Sequence, residues 1–126
     1  MLKSLLFVGI GSFVGGALRF LVSQLMKCVC NTSFPWATLA VNLAGCLVIG
    51  VVYALFARSV FTSNNICLLL ATGFCGGFTT FSAFANEGLV MLQGGNVGAF
   101  LLYALTSVVA GIALVALGYW SVNLFG

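Results

Sequence analysis

The chain has 126 residues, 63% of them hydrophobic and 4% charged, with a formal net charge of +3. A chain this apolar cannot hide its surface as a water-soluble domain of the same length, so its solvent is lipid. Its charged side chains are Lys3, Arg19, Lys27, Arg58 and Glu87, and so thin a positive charge excludes a nucleic-acid footprint.

The hydropathy pattern predicts one all-α membrane domain over residues 1–126. Its four spans fall at about 4–26, 36–57, 66–93 and 97–122, with short loops and both termini on one side. Lys3 ahead of the first apolar run suggests a signal peptide. The run is too long for one, carries Arg19 and lacks a small-x-small cleavage site, so it reads as a retained span. Gly11, Gly15 and Arg19 are four apart and share one face. Gly11-xxx-Gly15 is a close-packing pattern of membrane helices. Arg19 lies well within the span and has two readings. It snorkels to the nearer interface, or it anchors opened backbone and supplies positive potential.

In the connection from Lys27 to Pro35, Cys28-Val29-Cys30 is too short and too isolated for a zinc site. Asn31-Thr32-Ser33 fits the glycosylation sequon, which matters only in a eukaryotic secretory context. Pro35 and Trp36 start the second helix, with the indole at the interface. Thr38, Asn42, Gly45 and Cys46 then fall on one face. A carboxamide as deep as Asn42 must find partners, either on a neighbouring helix or along a water-filled path.

The third span contains Gly73-Phe74-Cys75-Gly76-Gly77-Phe78-Thr79-Thr80-Phe81-Ser82-Ala83-Phe84. Each glycine inside a helix costs about 1 kcal/mol relative to alanine. Irregular backbone at membrane depth is tolerated only where it lines a cavity or is buried in protein. One reading is a discontinuous helix, broken near Gly76–Thr80, that seats the function. The other is a glycine-rich packing seam with aromatic filler. Glu87, the only acid, lies about one turn past Phe84, toward the interface. Gly94-Gly95-Asn96 makes the next turn. In the fourth span Tyr103, Thr106, Ser107, Ala110 and Gly111 form a small, polar face, and Tyr119 and Trp120 read as interfacial anchors.

These residues offer no carboxylate pair, no histidine, no nucleophile with its base and no phosphate loop, so the chain is not expected to be an enzyme. A proton-coupled carrier needs an ionisable residue deep in the membrane, and Glu87 looks peripheral. What remains is a set of uncharged donors, Asn42, Thr38, Tyr103, Thr106, Ser107 and Ser82, together with aromatic rings. Ring edges carry partial positive charge, so this set suits an anion. Loosened backbone between Gly76 and Thr80 would instead offer carbonyls to a small hard cation.

Over nearly its whole length the sequence resembles the Fluc (CrcB) fluoride channel family. The resemblance is carried by Gly11-xxx-Gly15-xxx-Arg19, by Asn42-Leu-Ala-Gly45, and most specifically by the stretch from Gly73 to Phe84. It implies passive, selective export of fluoride across the plasma membrane of a bacterium by a multi-pass protein. It also implies an antiparallel, dual-topology homodimer in the lipid bilayer, with two pores and a central structural sodium ion. Asn42 would be the pore carboxamide, and Phe81 and Phe84 would present ring edges to the ion. Gly76 and Thr79 carbonyls from both subunits would hold the sodium. Arg19, Thr38, Ser82, Glu87, Tyr103 and Ser107 would line or support the route. The sequence departs from the family pattern at Ala83 and Ala85, where many relatives carry Thr and Ser. It departs again at Ser107-Val-Val-Ala110-Gly111, where many show Asn-x-x-Gly-Ser. A small four-span proton-coupled drug exporter is the alternative, but it predicts a deep acid in the first span, where this chain has none. A non-transporting assembly subunit would explain the glycine seams but not a broken third helix with convergent polar groups.

Overall fold

A computed structural model describes residues 1–30, 33–59 and 63–125. The sequon residues Asn31 and Thr32, and positions 60–62 of the second loop, lie outside the described residues. Four helices are long and apolar enough to cross a membrane: Leu2–Val29, Trp36–Ala57, Asn64–Gln93 and Val97–Phe125. Three of them overrun the expected ends by two or three residues.

The bundle is built from two close helix pairs. The first span lies along the first half of the third, and the second span lies along the fourth. Backbone contact explains the first pairing. A Cβ at Gly15 would collide with the Phe74 carbonyl and come within 2.8 Å of the Phe78 amide nitrogen. From the other side, a Cβ at Gly77 would meet the Ser12 carbonyl oxygen at 2.5 Å. Small residues thus let two backbones touch, which is how helices associate where lipid supplies no hydrophobic drive.

The third span is composite. Ser63 caps a first α-turn, Asn64–Cys67, by accepting from the Asn65 amide. A π-helical stretch comes next, Leu68–Cys75, and then a short α-turn, Gly76–Phe78. Thr79 (φ −88°, ψ 159°) and Thr80 (φ −150°, ψ 118°) are extended. The helix restarts as Phe81–Gln93, with the Thr80 hydroxyl accepting from the Ala83 amide at 3.3 Å.

The break therefore lies at the carboxyl end of the expected window, on two threonines. The glycines do not loosen the helix. Gly76 stays helical at φ −63°, ψ −38°, and Gly77 lies within the same turn. At Gly73 and Gly77 the penalty that glycine carries in an isolated helix is offset by close packing on Val8, Gly11 and Ser12 of the first span, whereas a Cβ at Gly76 would meet nothing within 4 Å. The π-helix upstream has no counterpart in the expected elements, since no local sequence signal distinguishes a widened ladder from an ordinary one.

A small core sits where the second, third and fourth spans meet. Leu39, Met91 and Tyr103 are its buried members, and Phe34, Leu43, Phe84 and Phe100 pack against them. The outer faces carry exposed Leu, Val, Ile and Phe side chains such as Leu6, Ile10, Phe13, Leu102 and Ile112, as a lipid-facing surface requires.

Candidate functional site

Ending a helix at membrane depth strips carbonyls of their donors. The Thr79 amide still reaches back to the Cys75 carbonyl at 3.0 Å. The Thr80 amide does not continue the ladder to Gly76. It donates instead to Asn42 Oδ1 at 2.8 Å, while Asn42 Nδ2 donates to the Thr80 carbonyl at 3.1 Å. One carboxamide from the second span thus satisfies both polar groups of the extended residue, as a neighbouring strand would. The Gly77 carbonyl is taken by Arg19 Nε at 3.2 Å. Of the two readings of Arg19, the structure realises the anchor: the guanidinium reaches across the glycine seam to opened backbone instead of snorkelling out.

The Gly76 and Thr79 carbonyls end without ladder donors. The Thr80 amide has gone to Asn42, and the Ala83 amide has gone to the Thr80 hydroxyl. The Thr79 side chain is occupied locally, its Oγ1 donating to the Cys75 carbonyl at 2.8 Å.

Beside the break is a cavity of about 470 Å³. Asn42, Gly76, Thr79, Phe81, Phe84 and Ser107 line it, and no charged side chain appears among its described lining residues. Phe81 is 78% exposed. The Phe81 and Phe84 rings lie 5.8 Å apart, and Phe84 meets Tyr103 at 4.9 Å. Tyr103 is fully buried, at 0% exposure. The Ser107 hydroxyl is buried with no hydrogen-bond partner among the described residues, whereas Thr38 lies close enough to the Tyr103 hydroxyl to act on it.

The remaining predicted residues divide between two places. Thr38 and Glu87 lie on a second cavity of about 450 Å³, past Tyr103. There the Thr38 hydroxyl donates to the Glu87 carboxylate. Glu87 is accordingly half-buried against the second span and not a free interfacial acid. Ser82 is exposed, its hydroxyl 3.3 Å from that of Thr80, and lies outside the described lining of both cavities.

Two residues of the site escape sequence reading. Thr80 is the hinge that Asn42 grips. A threonine just ahead of a helix restart is an N-cap signal that could have marked it. Phe34 folds in from the loop and sets its ring edge-on to Tyr103 at 5.5 Å, 72°. Nothing in a polar connection announces that contact.

The family model described as "CrcB-like protein, Camphor Resistance (CrcB)" matches residues 6–119. A protein of Phocaeicola vulgatus named fluoride-specific ion channel FluC is 46% identical over 119 residues, covering 94% of this chain and 98% of the relative. One of the same name from Chlorobium phaeobacteroides is 48% identical over 115 residues, covering 91% and 89%. Another, from Azobacteroides pseudotrichonymphae, is 43% identical over 119 residues, covering 94% and 95%.

Proposed function

The chain belongs to the CrcB-like family and is a multi-pass bacterial membrane protein, and on that premise we propose that it is a passive, fluoride-selective channel exporting fluoride across the plasma membrane. The observation that carries this reading is the Ser107 hydroxyl, buried on the cavity wall with no hydrogen-bond partner among the described residues. A buried hydroxyl without a partner costs about 1–3 kcal/mol, so a polar visitor is implied. The donor set beside it suits an anion. The Asn42 amide nitrogen has two hydrogens, of which the Thr80 carbonyl takes one. The other is available to the cavity, which Phe81 and Phe84 also line. A selective anion pore must replace the hydration shell with fixed donors, and a donor set scaled to a small anion favours it over chloride. The names of the relatives support fluoride itself and favour the channel over a proton-coupled exporter.

Purified protein in liposomes should release trapped fluoride with neither ATP nor a proton gradient, and chloride should pass far less well. Phe81→Ile and Phe84→Ile keep bulk but remove the ring edge. Each should cut flux by about 10-fold or more, the scale of losing more than 1.4 kcal/mol at the barrier. Leu69→Ile should do little. A chloride leak equal to fluoride efflux, or wild-type flux in both phenylalanine variants, would sink the channel reading.

The functional unit in this reading is an antiparallel homodimer with two pathways. Phe81, exposed beside the break, supports a partner there. So does the charge count. Arg19 is engaged at Gly77, which leaves Lys3 and Arg58 toward one side and Lys27 toward the other. Two against one gives the positive-inside rule little to act on. The donor set at the break also fits a structural sodium ion, because the Gly76 and Thr79 carbonyls have lost their helix donors. Carbonyls from two chains would hold it, and the ion would supply fixed positive potential near the anion route. Side-specific reporters fused to the carboxyl end should give near-equal signals on both sides of the membrane. Native mass measurement should find two chains retaining one sodium. A single strong orientation with full activity would rule out the antiparallel dimer, and a sodium-free dimer would rule out the ion.

A further inference from the structure

The cavity past Tyr103 holds two charged groups among its described lining residues, and they have opposite signs. Glu87 stands on one wall, fixed by the Thr38 hydroxyl. Lys27 stands on the other, in the last turn of the first span, and lies close enough to act on the charge of Glu87. A carboxylate alone at the mouth of an anion route would repel the anion, and low-dielectric walls would deepen that repulsion. The Thr38 hydrogen bond orients the carboxylate but leaves its charge in place. The other three Lys and Arg residues are elsewhere. Lys3 is in the first turn of the first span, at the opposite end from Lys27. Arg19 is bound to Gly77, and Arg58 is at the far end of the second span, donating to the Val122 carbonyl.

We infer that Lys27 is the counter-charge that makes this mouth accept anions, offsetting Glu87 and raising the local fluoride concentration where the pathway opens. The inference rests on the channel reading above. Lys27 need not touch the ion in the pore. Its long, exposed side chain acts through the field at the entrance, so the effect is a property of charge and not of shape.

That distinction sets the test. Lys27→Gln, Lys27→Glu and Lys27→Arg are purified and reconstituted in neutral lipid, and fluoride efflux is measured in each sample at two ionic strengths. The screening length is about 30 Å at 0.01 M and about 3 Å at 1 M, with potassium gluconate as the added salt and sorbitol balancing osmolarity. The ratio of low-salt to high-salt flux is independent of how much active dimer each sample holds. It is therefore insensitive to any shift in topology that removal of a lysine causes. The ratio should fall about threefold or more for Lys27→Gln, further for Lys27→Glu, and stay at the wild-type value for Lys27→Arg. An unchanged ratio in Lys27→Gln and Lys27→Glu would overturn the inference while leaving the channel intact. A wild type that carries no fluoride at either salt would instead overturn the channel reading.

Discussion

Replacing Asn42 with leucine should abolish fluoride flux and lower the thermal stability of the purified protein together. The Thr80 amide and carbonyl both depend on that one carboxamide. Leucine fills the volume but leaves two backbone groups unpaired at membrane depth, each costing about 1–3 kcal/mol. The extended pair Thr79–Thr80 then has no partner, and the break must either re-form helix or reorganise. Either outcome moves Phe81, Phe84 and the Gly76 and Thr79 carbonyls. Asn42→Asp separates the two roles of the side chain. Its carboxylate still accepts from the Thr80 amide, but it faces the Thr80 carbonyl with negative charge and has no hydrogen left for an anion. Flux should fall by about 100-fold or more, the equivalent of about 2.7 kcal/mol at the barrier. The loss of stability should be smaller than for leucine. The check is fluoride efflux beside a melting curve in detergent. Full flux in both variants would show that the grip on Thr80 is incidental to conduction.

How much of this is legible in the sequence depends on whether the cause is local. The four spans are legible because hydropathy over about 20 residues is a local quantity. The stretch from Gly73 to Phe84 stands out correctly, but for a partly wrong reason. Helix propensity points at the glycines as the weak point, whereas Gly76 and Gly77 remain helical and Gly73 and Gly77 serve the contact with Gly11 and Ser12. The break falls on Thr79 and Thr80, two β-branched residues, the second able to cap the helix that restarts at Phe81. The Asn42–Thr80 pair spans 38 positions. Periodicity places Asn42 on the right face of its helix but cannot give the register between helices. The same is true of Thr38 and Glu87, 49 apart. Phe34 is hidden because its role comes from the loop folding back over Tyr103, a tertiary event without a local pattern.

Gly15→Val should prevent accumulation of folded protein, the second large effect. The first and third spans meet backbone to backbone at this point, so no side chain can rotate out of the way. The added Cβ overlaps the Phe74 carbonyl and crowds the Phe78 amide nitrogen. Relief requires the spans to separate. Separation would also pull Arg19, one turn further along, away from the Gly77 carbonyl. The seam and the anchoring of the break are thus one mechanical unit. Overpacking a well-packed contact commonly costs about 1–3 kcal/mol, and a clash with rigid backbone belongs at or above the top of that range. Gly98→Ala is the matched control, since a Cβ there meets nothing within 4 Å. The measurement is the fraction of monodisperse protein by gel filtration from equal amounts of membrane. Gly15→Val should lose most of that peak and Gly98→Ala should keep it. Where a small folded fraction of Gly15→Val survives, its flux per unit of folded protein should be lower than wild type, because Arg19 no longer holds the Gly77 carbonyl. Wild-type yield and wild-type flux in Gly15→Val would mean that the two backbones do not approach this closely in the membrane.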